Sequence, residues 1–276
     1  MADFHTESAV SAALDVAERF GVPSDPFFLL HTRSNVLVRL GELVARVPAT
    51  TRLMRPDPAP WLARDVELSR FLTQRGVPVV SPSTDPPAGP HFSGGLPVTL
   101  WHYTRHDPDH KYSPAEIAKS LGRVHEALRE YPGELPLRGP LDDIDRIFER
   151  CGEAIGDALP RLRAEAARIA AALPAGPVQA LHGDAHPGNV IATADGPCWL
   201  DFEDTWRGPL AWDVATLVKQ SDASALDAYP GEVDENAFGP FLELRRLLGT
   251  LWQFVIAERF PERLEEAHDA VSRRYA

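Results

Sequence analysis

The side chains most suited to chemistry lie in one short stretch of the chain, residues 181–215. Within it, Asn189 comes five positions after Asp184, and Asp201 comes 17 positions after Asp184. Phosphoryl transfer uses groups of these types, because carboxylate and amide oxygens hold Mg²⁺ while a further carboxylate orients the attacking hydroxyl. In that chemistry Asp184 suits the base, and Asn189 and Asp201 suit the metal ion.

A short hairpin is predicted to bring the two metal-binding side chains together. Residues 190–193 and 198–200 read as strands, and residues 194–197 between them contain the Asp-Gly pair typical of a tight turn. Asn189 stands just before the first strand, and Asp201 stands just after the second. We therefore expect the two side chains to meet at the open end of the hairpin.

Three motifs in this stretch are similar to those of a known family. The pattern H-G-D-x-x-x-x-N, followed by L-D-F-E-D and G-P-x-x-W-D-V-A, resembles the aminoglycoside phosphotransferase family, which shares the protein-kinase-like fold. The resemblance implies that Asp184 is the catalytic base and that Asn189 and Asp201 are metal ligands. It also implies that Asp213 is a buried aspartate that braces the catalytic loop from the next helix.

The elements that would position a nucleotide are expected near the N-terminus. Residues 29–47 read as strands, with a hairpin turn at Gly41-Glu42. The resemblance implies that the loop ending in Ser34 and Asn35 covers the nucleotide phosphates. The glycines usual in such a loop are absent here, and an ordinary turn is the alternative.

One basic residue, Arg46, stands in the second of these strands. The resemblance implies that Arg46 binds nucleotide phosphates, which its guanidinium can grip with two parallel hydrogen bonds. An exposed arginine on an edge strand is the alternative. The expected acidic partner of Arg46 is Glu67, 21 residues later on a predicted helix, with Asp65 as a rival and a solvated helix charge as the other alternative.

A further strand, residues 96–103, is expected to lead into the connection between two lobes. The resemblance implies that backbone groups around residues 100–102 meet the purine of ATP or GTP, with Trp101 or Leu100 packed on it. Trp101 and His102 are therefore candidate nucleotide contacts. Backbone contacts leave no pattern in a sequence, so ATP and GTP are not distinguished.

The remaining chain predicts a helical lobe. The letters S-P-A-E at residues 113–116 form a capping box with proline at the first helical position, and residues 141–173 read as further helices. The resemblance implies that these and the C-terminal helices form the substrate cleft. We expect a two-lobed α/β (α+β) protein-kinase-like fold, with a small antiparallel sheet lobe at residues 1–101 and a larger helical lobe at residues 102–276.

The amino-acid composition limits the kinds of partner that the protein is expected to bind. With 28 basic and 40 acidic residues, the net charge of −12 argues against a nucleic-acid binder and gives slight support to a cationic substrate. The two cysteines, Cys151 and Cys198, lack metal-ligand spacing and fit a reducing compartment. No apolar run reaches the length of a membrane span, so a cytoplasmic protein is expected.

The sequence therefore predicts a small-molecule kinase. It would transfer the γ-phosphoryl group of ATP or GTP, with Mg²⁺, to a hydroxyl of a small acceptor such as an aminoglycoside, an amino sugar or an amino alcohol. One alternative is a catalytically inactive nucleotide- or ligand-binding protein on the same fold. The other is a metal-dependent hydrolase with zinc bound by His182 and His186, although a third His or Cys at ligand spacing is missing.

Overall fold

The computed structural model describes residues 4–275, except for the side chain of residue 235. The helices, in chain order, are α1 (Phe4–Arg19), α2 (Thr51–Met54), α3 (Ala59–Gln74), α4 (Pro114–Leu128), α5 (Gly139–Arg150), α6 (Gly152–Ile155), α7 (Leu159–Ala172), α8 (Ala211–Gln220), α9 (Ser224–Ala228), α10 (Glu235–Arg259) and α11 (Leu264–Tyr275). The strands are β1 (Phe27–Thr32), β2 (Asn35–Leu40), β3 (Leu43–Pro48), β4 (His91–Ser93), β5 (Leu96–His102), β6 (Gln179–Ala180), β7 (Val190–Thr193), β8 (Gly196–Trp199) and β9 (Arg207–Gly208).

The chain divides into two compact units that are not continuous in sequence. The first unit contains the residues up to Lys111 together with Val190–Glu203, and the second contains Tyr112–Asn189 and the residues from Asp204 onward. The boundary expected at residue 101 stays a prediction. The observed units add that the segment after Asn189 belongs with the N-terminal residues.

The first unit is built on a five-stranded antiparallel sheet with the order β1-β2-β3-β5-β4. Side chains alternate between the two faces of a strand, so every second residue of β2, β3 and β5 points to the same side. Helix α1 covers one of these sides with a face made largely of alanine and valine. The buried residues that meet there include Ala9, Ala13, Val16, Val38, Ala45 and Leu100.

The turn between β2 and β3 is a two-residue hairpin, as predicted. Leu40 pairs with Leu43, and Gly41 has a φ of +62°. Glycine suits the first position of such a turn because it adopts positive φ without a steric penalty. The turn fixes the register in which Arg46 of β3 lies opposite Leu37 of β2.

A second apolar cluster involves β3, α3 and β5. It contains Val44, Val66, Ala88 and Trp101, all buried. Arg46 lies two residues after Val44 on β3, so its side chain points to the same face of the sheet as this cluster. A guanidinium on a covered face is unusual and needs charged partners.

The predicted hairpin after Asn189 is confirmed as the antiparallel pair β7 and β8, with a shorter turn than expected. Thr193 pairs with Gly196, so the turn residues are Ala194 and Asp195 alone. Backbone contacts bind the hairpin to the rest of the first unit. Val79 forms a β-bridge with Trp199, and the Asp107 N–H donates to the Ala192 carbonyl at 2.8 Å. These contacts explain why the hairpin belongs to the first unit.

The second unit is largely helical. The predicted capping box at the start of α4 is confirmed, because the Glu116 N–H donates to Ser113 Oγ and the Ser113 N–H donates to Glu116 Oε2. Helix α10, 25 residues long, contacts α5, α7, α8 and α11. Its buried side chains include Leu244, Leu247, Leu251 and Phe254.

The antiparallel sheet and the large helical portion are those of the predicted α/β fold class. No helix within residues 4–275 combines the length and the apolar character needed to cross a membrane.

Candidate active site

In the first unit, the centre of the candidate site is the buried guanidinium of Arg46. Its Nη1 bonds to Asp65 Oδ2, and its Nη2 lies 2.6 Å from Asp201 Oδ1 and 2.9 Å from Glu203 Oε2. Burial disfavours the charge of Arg46, but the negative charges of Asp201, Glu203 and Asp65 outweigh it and raise the pKa above its ordinary value. Arg46 therefore stays charged and gathers three carboxylates.

The structure corrects the expected partner of Arg46. Asp65 is fully buried on α3 and bonds to Arg46, whereas Glu67 lies on the exposed side of the same helix. Residues two apart on a helix point in very different directions, so only one of the two can face the sheet. Asp65, the rival in the sequence analysis, is the partner.

Asn35 and Ser34 support this arrangement from the start of β2. When the Asn35 amide is oriented to satisfy its neighbours, its oxygen accepts from Arg46 Nη2 at 2.8 Å and its nitrogen donates to Thr51 Oγ1 at 3.2 Å. The Ser34 carbonyl accepts from the backbone N–H groups of residues 49–51. Contact of Ser34 and Asn35 with nucleotide phosphates stays a prediction.

Asp201 follows β8 in an unusual backbone conformation. It has a φ of +71°, the one positive φ that a residue other than glycine adopts within residues 4–275. The next N–H, that of Phe202, donates to Asp65 Oδ1 at 2.8 Å and fixes the turn. Arg46 donates a hydrogen bond to Oδ1 of Asp201, and no residue in the described part of the chain bonds to Oδ2. This oxygen is suited to a cation.

Trp101 and His102 lie at the end of β5. Trp101 is buried in the apolar cluster with its indole N–H bonded to Thr99 Oγ1 at 2.9 Å, and His102 is exposed. The backbone N–H of His102 donates to the Ser81 carbonyl, and that of Leu100 donates to the Ala88 carbonyl. These two N–H groups are therefore not available to a purine in this structure.

In the second unit, Asp213 braces the loop that leads to Asp184, as the resemblance implies. Asp213 on α8 is fully buried and accepts from the His182 N–H at 2.7 Å and from the Gly183 N–H at 2.9 Å. The indole N–H of its neighbour Trp212 donates to the Gly183 carbonyl at 2.6 Å. The backbone just before Asp184 is thus fixed by side chains from a single helix.

His125 of α4 extends this network. Its Nε2 lies 2.8 Å from Asp213 Oδ2, and its Nδ1 lies 2.7 Å from the Tyr229 hydroxyl. Burial and the charge of Asp213 raise the pKa of Tyr229, so its hydroxyl keeps its proton and donates. An imidazole that donates from Nε2 to Asp213 and accepts at Nδ1 from Tyr229 satisfies both partners. The sequence alone suggests a packing role for this helical histidine, and it is indeed buried, but its partners are 88 and 104 residues away and no local pattern connects them.

Asp184 is held by a cation from α10. Arg245 Nη2 lies 2.6 Å from Asp184 Oδ1, and His186 Nε2 lies 3.2 Å from Oδ2. Burial alone raises the pKa of the Asp184 carboxyl, but the charge of Arg245 and the hydrogen bond from His186 hold it well below its usual range. Asp184 is consequently ionised at neutral pH. Arg245 belongs to no motif, and sequence reasoning missed it.

Asn189 ends a short 3-10 turn, Pro187–Asn189, and is buried. Its amide nitrogen donates to the Asp184 carbonyl oxygen at 2.9 Å. Because the nitrogen is engaged with this carbonyl, the amide oxygen is the group left to bind a cation. The orientation suits the metal-ligand role that the motif implies.

The two histidines of this loop serve its backbone. His182 Nδ1 accepts from the Asp184 N–H at 3.3 Å, and His186 Nδ1 accepts from the Gly188 N–H at 2.9 Å. Within residues 4–275 no group of three or more His, Cys, Asp or Glu side chains is arranged to hold a metal ion. The geometry gives no support to a zinc site. A Mg²⁺ site needs fewer protein ligands, because phosphate oxygens and water supply the others.

Comparisons with known proteins agree with this geometry. The model of the phosphotransferase enzyme family matches residues 28–266. Among solved structures, the amicoumacin kinase hAmiN, in complex with AMP-PNP and Ca²⁺, is 13% identical with a TM-score of 0.67, covering 97% of this chain and 96% of its own. No curated protein sequence matches the chain.

Two further solved structures share the fold. The GDP and kanamycin complex of APH(2")-IIIa is 15% identical with a TM-score of 0.62, covering 99% of this chain and 100% of its own. Choline kinase LicA from Streptococcus pneumoniae is 14% identical with a TM-score of 0.60, covering 95% of this chain and 99% of its own. The predicted kinase-like fold is therefore confirmed.

Replacement of Gly183 by alanine tests the close packing of the catalytic loop. Gly183 has a φ of +94°, and an added Cβ would lie 2.0 Å from the Asp204 carbonyl oxygen. Gly196 is a matched control, since its φ is +113° with open space around it. We expect Gly183→Ala to lower the free energy of unfolding by about 1–3 kcal/mol more than Gly196→Ala, because overlap is added to the same backbone strain. Urea denaturation measures both, and equal losses would contradict the close contact.

A second prediction concerns the charge pair of Asp184 and Arg245. The depressed pKa of Asp184 contributes stability that is present above its unfolded-state pKa and lost as pH falls through the folded value. In Arg245→Gln the largest charge that opposes burial is gone and the hydrogen bond from His186 remains, so we expect the pKa of Asp184 to rise above its ordinary value and its contribution to be lost as pH increases. The variant should therefore be less stable than wild type by about 1–2 kcal/mol at pH 7, and by less at pH 5.

The control for this measurement is Arg161→Gln, which removes an exposed arginine from α7. Its stability should stay within about 0.5 kcal/mol of wild type at both values of pH. If the Arg245→Gln difference were the same at pH 5 and pH 7, Arg245 would not be what keeps Asp184 ionised.

Proposed function

The chain belongs to the phosphotransferase enzyme family and acts on a hydroxyl group of a small molecule, and from that premise we propose that it transfers the γ-phosphoryl group of ATP or GTP with Mg²⁺. In this reaction the bond between the γ-phosphorus and the β–γ bridging oxygen breaks, and a bond to the acceptor hydroxyl oxygen forms. The nucleoside diphosphate leaves with the bridging oxygen. The proton of the hydroxyl passes to a carboxylate of the enzyme.

The observation that supports this proposal most is the state of Asp184. It stands on a loop fixed by Asp213, and Arg245 keeps it ionised. Because Arg245 lowers the pKa of Asp184, this carboxylate is a weak base: it can accept a hydrogen bond from the acceptor hydroxyl and orient its lone pair, and it takes the proton only late in the transfer. We assign that role to Asp184.

Asn189 and Asp201 are the proposed metal ligands. An amide oxygen and a carboxylate oxygen are the donors that Mg²⁺ takes in proteins, and both side chains have one such oxygen left after their other contacts are counted. When bound, Mg²⁺ neutralises charge on the phosphate oxygens. The chain's own contribution is to fix each oxygen within its unit, through the bond of Asn189 to the Asp184 carbonyl and that of Asp201 to Arg46.

Arg46 orients Asp201 through the 2.6 Å bond to Oδ1. Three carboxylates of the protein already occupy the guanidinium. A nucleotide phosphate would therefore reach it only by displacing one of them. We therefore assign Arg46 first to positioning Asp201, with direct contact to the α- and β-phosphates as the additional role that the sequence analysis predicts.

The structural neighbours differ in the bound nucleotide and in the acceptor. One structural neighbour was solved with AMP-PNP and another with GDP, and the neighbours include kinases for amicoumacin and choline. Likeness in fold is compatible with either nucleotide and with acceptors of different charge.

Asp184→Asn is the direct test of the base. The amide keeps the shape of the side chain but cannot take the proton, so turnover should fall by about 10²–10⁴-fold while the fold is retained. The measurement is Mg²⁺-dependent formation of ADP and GDP from ATP and GTP with a panel of hydroxyl acceptors. Asp195→Asn, the same change at an exposed turn residue, is the control.

Full activity of Asp184→Asn would remove Asp184 as the base. Nucleotide binding by the wild-type protein without transfer to any acceptor would favour the alternative of a catalytically inactive binding protein.

Asp201→Asn tests the metal site. Asparagine tolerates the positive φ and can still accept from Arg46, but it loses the charge that binds the cation. We expect the gain in nucleotide affinity from Mg²⁺ to fall by at least about tenfold in calorimetry, a loss of about 1.4 kcal/mol. In the control Glu203→Gln, which also removes a carboxylate from Arg46, that gain should persist. An unchanged gain in Asp201→Asn would exclude Asp201 as a ligand.

A further inference from the structure

A cavity of about 700 Å³ lies within the second unit, between α8, α10 and α11. Its size is that of a site for a small molecule. The charged side chains that line it are Lys219, Arg246, Glu266, Asp269, Arg273 and Arg274.

Basic side chains outnumber acidic ones around this cavity, and each acidic side chain already forms an ion pair with an arginine. Glu266 lies 2.8 Å from Arg263, which is outside the lining, and Asp269 lies 3.9 Å from Arg273. Within residues 4–275, Lys219, Arg246 and Arg274 have no carboxylate partner. All three are solvent-exposed, and together they form a local cluster of positive charge in a chain with a net charge of −12.

The cavity lies on the face of α10 that carries Arg245. Gly249, another lining residue, is four positions after Arg245, and residues four apart share a helix face. The side chain of Lys219 lies across this glycine, because a Cβ added to Gly249 would be 3.3 Å from Lys219 Nζ. Arg245 in turn contacts Asp184. The cationic cavity therefore lies on the side of α10 that carries the arginine in contact with the proposed base.

The electrostatics agree with this position. Burial lowers the pKa of Lys219, the charges of Arg245 and Arg274 lower it further, and the charge of Asp184 acts in the opposite direction. An excess of positive charge around an ammonium group has this effect, and an anion bound in the cavity would relieve it.

We infer that this cavity binds the acceptor, and that the acceptor carries an anionic group, a carboxylate or a phosphate, besides the hydroxyl that is phosphorylated. The inference rests on the proposed phosphotransferase function. Guanidinium and ammonium groups are the side chains that recognise carboxylate and phosphate oxygens. The acidic composition of the chain is no objection, since charges more than a Debye length of about 8–10 Å away are screened and the local lysine and arginines dominate.

Anion binding is tested first, without nucleotide. Inorganic phosphate and malonate are titrated by calorimetry into the wild-type protein and into a variant with Lys219→Gln, Arg246→Gln and Arg274→Gln. The control variant carries Lys119→Gln, Arg123→Gln and Arg161→Gln, which remove three exposed cations from α4 and α7. Both variants change the net charge equally, so only the location of the change differs.

We expect the cavity variant to bind its anion at least about tenfold more weakly than wild type, and the control variant to bind it as wild type does. Comparison of phosphate with malonate shows which anionic group the cavity prefers. No binding to wild type at up to about 10 mM of either anion, or equal losses in the two variants, would overturn the inference.

Transfer to acceptors is tested next with sets of related hydroxyl compounds that carry a negative, a neutral or a positive group. One set is 4-hydroxybutyrate, 1,4-butanediol and 4-amino-1-butanol, and another is glucuronate, glucose and glucosamine. The anionic member of a set that is phosphorylated should have a kcat/KM at least about tenfold above the neutral and cationic members. A cationic member used as well as its anionic analogue would overturn the inference.

The two tests separate this inference from the proposed function. Absence of transfer to any acceptor counts against the phosphotransferase proposal, and the calorimetric comparison still decides whether the cavity binds anions.

Discussion

A single buried carboxylate, that of Asp213, is the group on which the catalytic loop depends. It receives the N–H groups of His182 and Gly183, and the imidazole of His125 bonds to one of the same oxygens. A carboxylate without exposure to water is tolerated only when hydrogen bonds replace its hydration. The loop backbone provides two of them. Because the buried carboxylate needs these hydrogen bonds, it holds the loop backbone in one conformation and so fixes the direction of the next residue, Asp184.

In the first unit a buried charge likewise depends on hydrogen-bonding partners, but there the charge is positive. There the buried charge is the cation of Arg46, and its partners come from α3 and from the segment after β8. These parts of the chain are far apart in sequence, and besides Arg46 they are joined by the backbone contact of Val79 with Trp199 and by the hydrogen bond from the Phe202 N–H to Asp65. Because the guanidinium is buried and needs all of its hydrogen bonds, it determines where the Asp201 carboxylate lies.

Sequence reasoning succeeded where the relevant interactions are local. The spacing of Asp184 and Asn189, the capping box before α4 and the hairpin turns depend on residues within a few positions of one another. It failed to choose between Asp65 and Glu67, because distance along the chain does not say which side of a helix faces the sheet. The buried residues Leu62, Ser69 and Leu72 share a helix side with Asp65, and that periodicity was the missed signal. Arg245 is 61 residues from Asp184, and no pattern connects them.

The discontinuous first unit has a consequence for how the protein is made. Arg46 emerges from the ribosome early, but two of its three acidic partners, Asp201 and Glu203, follow more than 150 residues later. Until then a cation meant for the interior has Asp65 alone to balance it, so the N-terminal unit cannot complete its fold during the early part of synthesis. By the time residue 203 emerges, the first segment of the second unit, Tyr112–Asn189, has also been translated. The first unit of this enzyme can therefore be completed only after the segment Tyr112–Asn189 has been made, and a fragment cut off after residue 111 would lack the charges that its own interior requires.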